Sequence, residues 1–180
     1  MKMNIWHSFP EDKITGESFF AIIEIPSGSK NKYELDKDTG FLRLDRVLYT
    51  STRYPANYGF IPKTLSEDGD PLDVLVLCQE AVLPMTLIEC YPIGVLKMTD
   101  QNETDEKIIA VPFGDPTLTD YKDITELPHH RYEEISHFFT VYKALEGKET
   151  AVDNIYNRVE AIRIINECKG RYKAQFMYDL

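Results

Sequence analysis

The residues best equipped for chemistry in this 180-residue chain lie in one stretch, Ser66-Glu67-Asp68-Gly69-Asp70-Pro71-Leu72-Asp73-Val74-Leu75-Val76-Leu77. Three aspartates, Asp68, Asp70 and Asp73, fall within six residues at the entrance to an otherwise apolar strand. Pro71 biases Asp70 toward extended backbone. Asp73 shares strand parity with Leu75 and Leu77, so its carboxylate points wherever they are buried. A carboxylate taken toward a core without a partner is costly, and a hard divalent cation bound through oxygen is its natural partner. A solvated acidic turn with one carboxylate at its rim would read the same way, and on this segment alone the two readings stand level. A calcium-loop reading fails. Counted from Asp68 it needs Gly at the sixth place and Glu at the twelfth, where the chain has Asp73 and Gln79.

A second acidic group sits in the turn of an expected hairpin, Lys97 to Lys107, with Asp100 and Asp105 near its two ends. Such a loop is usually just solvated; beside the first cluster it becomes a candidate second metal platform. Arg46 alternates in phase with Leu42, Leu44 and Leu48, an odd place for a solvated guanidinium. A fork of fixed donors on an inward face suits an anion, and a buried ion pair suits it equally. Lys32 and Glu34 share a strand face, Glu24 interrupts an apolar strand, and Tyr142 and Lys143 close a helical pattern. No GxxxxGK loop, HExxH pair, GxSxG elbow or Cys/His nucleophile motif occurs. The four histidines, His7, His129, His130 and His137, have no convincing ligand spacing.

These groups need a framework, and the composition supplies one. With 43% hydrophobic residues, nine Phe and eleven Tyr, the chain can build a sizeable core, expected as one domain over residues 1–180. Cys78, Cys90 and Cys168 are odd in number and form no CxxC pair, which argues against a disulfide scaffold or structural zinc. No stretch reads as a signal peptide or approaches the roughly 20 apolar residues of a membrane span. The expectation is a cytoplasmic protein. A formal net charge of −10 opposes binding to nucleic acid or anionic membrane. It would also repel a bare phosphate compound, so phosphate chemistry here would need cations between protein and ligand.

Residues 19–112 read as short strands and turns: an apolar run Phe19–Ile25, a hairpin around Asp38-Thr39-Gly40, a β-rich run from Leu72 to Leu77, and a second hairpin pairing Leu87–Met98 with Lys107–Val111. Residues 118–176 read as mostly helix. Tyr132, Ile135, Phe139 and Tyr142 recur at helical steps to Leu145, and Ile155, Val159, Ile162 and Ile165 do so in the last segment. The fold class is α+β, a small closed or barrel-like sheet with helices packed on it, mostly C-terminal.

With those residues in view, the chain resembles the family I soluble inorganic pyrophosphatases, bacterial-type in length. The resemblance runs from about Phe19 to Glu146 and centres on Asp68-Gly69-Asp70-Pro71-Leu72-Asp73-Val74, the family's DGDPxDV signature. Around it stand Glu24-Ile25-Pro26, Lys32-Tyr33-Glu34, Asp45-Arg46, Tyr54-Pro55-Ala56-Asn57-Tyr58-Gly59, Gly94 to Asp100, and Phe138-Phe139 followed by Tyr142-Lys143. The resemblance implies a five-stranded OB-like barrel with additional hairpins, and hydrolysis of pyrophosphate to two phosphates with several Mg²⁺ ions per site. It implies Asp68, Asp73 and Asp105 as ligands of the tightest ions, Asp100 with Asp105 for a further one, and Glu24 as an auxiliary ligand. Asp70 matches the general base. Lys32, Arg46, Tyr58, Tyr142 and Lys143 match the groups that hold phosphoryl oxygens, and Glu34, Tyr54 and Lys107 belong to the same cleft. A homo-oligomer, as a hexamer, is implied too.

Two departures stand out. Gln101 occupies a place where many members have an acid, and Val141 follows His137 where bacterial hexamers carry a second histidine. Beyond Glu149 nothing carries over. The competing class is an OB-like module for single-stranded nucleic acid, which would use a basic groove with aromatic platforms. The net charge and the clustered aspartates oppose it.

Overall fold

The computed structural model describes residues 4–37 and 39–177; Asp38, expected in the first hairpin's turn, lies outside the described residues. The elements run α1 (Ile5–Ser8), β1 (Phe19–Ile25), β2 (Asn31–Leu35), β3 (Leu42–Val47), β4 (Asn57–Phe60), β5 (Asp73–Val76), β6 (Leu87–Asp100), β7 (Glu103–Pro112), α2 (His129–Val141), β8 (Thr150–Asn157) and α3 (Arg158–Phe176), with short 3-10 turns between some of them.

Strands β1, β4, β5, β7 and β6 follow one another in hydrogen-bonded order, and β1 pairs again with β6. That second pairing closes a ring of five strands, the OB-like arrangement expected, although β8 added outside β6 leaves it less than a clean barrel. Four of the ring's pairings are antiparallel; β5 and β7 run parallel, with Asp73 opposite Lys107 and Leu75 opposite Ile109. Closure brings backbones close at Gly59, where a Cβ would stand 1.9 Å from the Ile22 carbonyl oxygen, so no side chain fits.

Alternation along the strands feeds two cores. Leu75, Leu77, Ile109 and Val111 meet Tyr54, Tyr58, and Ile135, Phe138 and Phe139 of α2. Val74, Val76, Ile108 and Ala110 meet Phe19, Ile23, and Ala161, Ile164, Ile165 and Cys168 of α3.

Several sequence expectations are corrected. Residues 150–157, read as part of a helical region, form β8 on the edge of β6, so Ile155 is a strand residue. The helix begins only after Asn157, whose side chain caps it by accepting the Glu160 N–H. Its buried stripe is Ala161, Ile164, Ile165, Cys168 and Tyr172, while Val159 is exposed. The preceding helix ends at Val141 rather than Leu145; Tyr142 is its C-cap, Lys143 precedes a 3-10 turn, and Leu145 faces solvent. In the first hairpin the register slips between Lys32 and Tyr33, placing Arg46 opposite Lys32 and Leu44 opposite Tyr33. Asp45 is the extra residue, so Arg46 and the exposed Leu44 do not share the simple alternation read from the sequence. The short helix α1 and strand β4 carried too little periodicity to be read as elements.

Candidate active site

Parity and register assemble the site at one rim of the ring. Asp73 opens β5 in phase with Leu75 and Leu77, and Asp105 and Lys107 precede Ile109 and Val111 in β7 with the same phase. Both strands therefore send buried leucine, isoleucine and valine into the α2-facing core and ionisable groups to its edge. Glu24 is delivered differently. The β1–β4 register shifts between Ile23 and Ile25, and the bulged Glu24 accepts the Leu35 N–H from β2 at 2.7 Å. Between β4 and β5, Gly69 adopts φ +89°, which turns the chain sharply between Asp68 and Asp70.

The resulting cleft, of about 240 Å³, is lined by Glu24, Lys32, Glu34, Tyr54, Tyr58, Asp68, Asp70, Asp73, Asp100, Asp105, Lys107, Tyr142 and Lys143. It thus brings together every candidate but one. Arg46 stands beside it rather than in its lining: its Nε donates to Glu146 Oε1 at 2.9 Å and its Nη1 to Asp45 Oδ2 at 2.5 Å. Its Nη2 is buried with no partner among the described residues, a donor left available to an anion.

Charge in the cleft is unbalanced. Glu24, Glu34, Asp68, Asp70, Asp73, Asp100 and Asp105 face only four lysines, Lys32, Lys37, Lys107 and Lys143. Lys107, buried, donates to Asp73 Oδ2 at 2.7 Å, Asp105 Oδ1 at 2.9 Å and the Tyr58 hydroxyl at 3.0 Å. Tyr58 in turn donates to Asp73, Lys143 pairs with Asp100, Lys32 with Glu34, and Lys37 with Asp70. Burial alone would depress the Lys107 ammonium, but Asp105 and Asp73 hold it well above the usual lysine range. Desolvation pushes the Glu24 carboxyl up to about 8, opposed by the Leu35 N–H and reinforced by Asp73 and Glu34. Desolvation likewise raises Asp73, against Lys107, and Asp68, where the Asp70 carboxylate adds to it. The phenols of Tyr54, Tyr58 and Tyr142 are all raised by burial and stay neutral donors.

Whether this donor set suits divalent cations can be judged from it directly. The groups are carboxylate oxygens, the ligands of hard ions, and they exceed the available positive charge. Asp100 Oδ1 is buried and has no hydrogen-bond donor among the described residues. Among the described residues no three carboxylate, histidine or cysteine side chains already converge as an ion cage. Asp73 and Asp105 are gathered instead around the Lys107 ammonium. The set fits oxygen-bound divalent ions in composition and charge, with lysine ammoniums holding part of it now.

Nothing in the sequence pointed to Lys37, Leu35 and Phe60 in the lining, while Tyr33, Pro71 and Phe139 stand within the motifs of the resemblance without an assigned role. Phe139, also in phase on its helix, serves as wall: Lys107 Nζ lies 5.3 Å from its ring centroid. Lys37 had no local signal. It reaches Asp70 across 33 residues of chain, a contact that exists only once the chain is folded.

Comparison with known proteins points one way. The family described as inorganic pyrophosphatase matches residues 21–173. The chain is 49% identical over 172 residues to soluble inorganic pyrophosphatase 2 of Chlamydomonas reinhardtii, covering 96% of this chain and 90% of that one. It is 49% identical over 153 residues to the inorganic pyrophosphatase of Halalkalibacterium halodurans, covering 85% and 94%. The crystal structure of inorganic pyrophosphatase from Thermus thermophilus superimposes with a TM-score of 0.90 at 42% identity, covering 95% of this chain and 99% of that one.

Proposed function

We propose, for a chain that belongs to the family I soluble inorganic pyrophosphatases and hydrolyses pyrophosphate to two phosphates, that Mg²⁺ is its metal and the cleft described above its catalytic centre. The observation that carries the reading is the convergence of the carboxylates of β1, β5, β6, β7 and the Gly69 turn on one cleft whose cations are outnumbered. Asp68, Asp73 and Asp105 would hold the tightest ions, Asp100 with Asp105 a further one, and Glu24 would assist. When bound, several Mg²⁺ ions would offset the charge of the substrate and make water a stronger acid.

The chain's own residues do the rest. Asp70, exposed at the mouth, takes the proton of the attacking water as the new P–O bond forms. Lys32, Lys143 and Arg46 bring positive charge to the phosphoryl oxygens. Arg46 Nη2 and the Tyr142 phenol donate hydrogen bonds, and Tyr58 would join them on turning its proton from Asp73, so charge on the departing phosphate meets donors. Glu34 fixes Lys32, Tyr54 walls the cleft against Tyr58 with ring centroids 5.3 Å apart, and Lys107 keeps Asp73 and Asp105 at one place before metal arrives. Asp73, Asp105 and Asp100, now paired with lysines, would give up part of that pairing to hold an ion.

Residues 1–180 form one domain on this reading, in a cytoplasmic homo-oligomer, a hexamer by the resemblance. Among the described residues no helix is long and apolar enough to cross a membrane. Calorimetric titration of Mg²⁺ into the wild type and Asp105→Asn tests the metal assignment. Substantially weakened binding in the variant is expected; equal affinity and stoichiometry would remove Asp105 from the ligand set.

A further inference from the structure

Asp70 is an exposed acid at the mouth of the cleft, with 64% of its side chain open to solvent. A carboxylate in that position ordinarily samples several rotamers. Its backbone is fixed: Ser66 N–H donates to the Asp70 carbonyl at 2.7 Å, and Asp70 N–H donates to Asp68 Oδ1 at 2.9 Å. What fixes its side chain comes from far away in sequence. Lys37 Nζ contacts Asp70 Oδ1 and lies 4.9 Å from the ring centroid of Trp6.

Trp6 is itself well anchored. It is 6% exposed, and its indole N–H donates to the Thr64 carbonyl at 2.8 Å. Lys63 N–H donates to the Trp6 carbonyl at 3.2 Å. Thr64, wholly buried, accepts the Leu72 N–H at 2.9 Å. The same indole thus grips the stem of the acidic turn and presents its face to the lysine that holds the turn's outermost carboxylate. A free lysine chain carries large rotamer entropy, and an aromatic face beneath its ammonium removes part of it while adding attraction.

We propose that Trp6 and Lys37 are positioning residues for the hydrolysis: stacked on Trp6, Lys37 pins Asp70 Oδ1 and leaves Oδ2 as the oxygen that meets water. This rests on the reading of Asp70 as the base. Neither residue touches substrate in this account; both act through Asp70.

The test is steady-state kinetics at saturating Mg²⁺ on Lys37→Met, Lys37→Arg, Trp6→Phe, Asp70→Asn and the double variant Lys37→Met/Asp70→Asn, all checked for folding by thermal melts. Lys37→Met keeps an unbranched side chain and removes the ammonium together with its contacts to Asp70 and Trp6. It is expected to lower kcat about 3–5-fold with KM within about twofold, the size of a well-placed but partly exposed ion pair. Lys37→Arg should recover at least half of that loss, and Trp6→Phe, with its smaller face, should lose about 2–3-fold in kcat. In the Asp70→Asn background Lys37→Met should change nothing further. An unchanged kcat in Lys37→Met overturns the proposal. An equal loss with or without Asp70 also overturns it, since Lys37 would then act on substrate directly. Near wild-type turnover in Asp70→Asn alone is a different failure: it removes the base assignment, and this proposal with it.

Discussion

Asp73 and Lys107 stand directly opposite each other on the parallel strands β5 and β7, with Lys107 Nζ 2.7 Å from Asp73 Oδ2. One strand pairing thus places a carboxylate, and the ammonium that stabilises it, at the rim of a hydrophobic core. The same ammonium reaches Asp105, two residues before it in β7. A preassembled pair of carboxylates around a monovalent cation is a sensible precursor to a site for divalent ones.

Removing that ammonium should therefore hurt the metal-free protein more than the loaded one. Lys107→Met leaves two partly buried carboxylates without their counter-charge, which should cost about 2–3 kcal/mol. For a chain of this size that is a fall of about 4–12 °C in Tm. Added Mg²⁺ should recover part of it. Thermal melts with and without Mg²⁺ check this, and a Tm unmoved in the metal-free protein would show that Lys107 has no such role.

Asp70→Asn should keep its fold and most of its Mg²⁺ affinity while kcat drops by about 10²–10⁴, the range for loss of a general base. Turnover and calorimetric titration on the same preparation decide it, and nearly normal turnover would assign the proton to another acceptor.

Arg46→Lys should behave as a severe change. Arg46 satisfies Glu146 and Asp45 with two nitrogens and holds a third unpaired; an ammonium cannot serve all three directions. We expect kcat/KM to fall at least about tenfold while Tm moves by only a few degrees. Kinetics equal to wild type would make Arg46 a structural residue, which its position beside the cleft rather than in its lining would then explain.

Glu24 gives a pH signature. With its carboxyl raised to about 8 in the metal-free protein, the folded state holds a proton that the unfolded state releases near ordinary carboxylate pH. The contribution of Glu24 is fully present below about 4.5 and is lost as pH rises through about 8. Metal binding near pH 7 must then expel that proton. Calorimetry in buffers of different ionisation enthalpy should register proton release in the wild type and markedly less in Glu24→Gln. Identical release in both would take Glu24 out of the site's titration.

What the sequence disclosed and what it withheld follow physical lines. Asp73 was legible because strand parity is a period-two rule that survives into the fold, and the second hairpin was legible from its two apolar runs. Arg46 was misplaced because a bulge at Asp45 breaks that parity, and no local pattern announces a bulge. Ile155 fell into a helical reading because apolar residues spaced by three and four also arise by chance where a strand meets a helix; the cap at Asn157 marks the true boundary. Lys37 and Trp6 were invisible as partners of Asp70, since their contacts join segments far apart in sequence. The DGDPxDV resemblance led to the remaining cleft residues, which the fold then gathered into one lining.

On the proposed function, carboxylates collected at one rim of the ring recruit the divalent cations that attack on pyrophosphate requires. The most direct measurement is phosphate release from pyrophosphate by enzyme stripped with a chelator, before and after Mg²⁺ is restored. Stripped enzyme should release nothing above the uncatalysed background, and full turnover should return on restoration. Sustained turnover with divalent ions chelated, or none after Mg²⁺ returns, would contradict it.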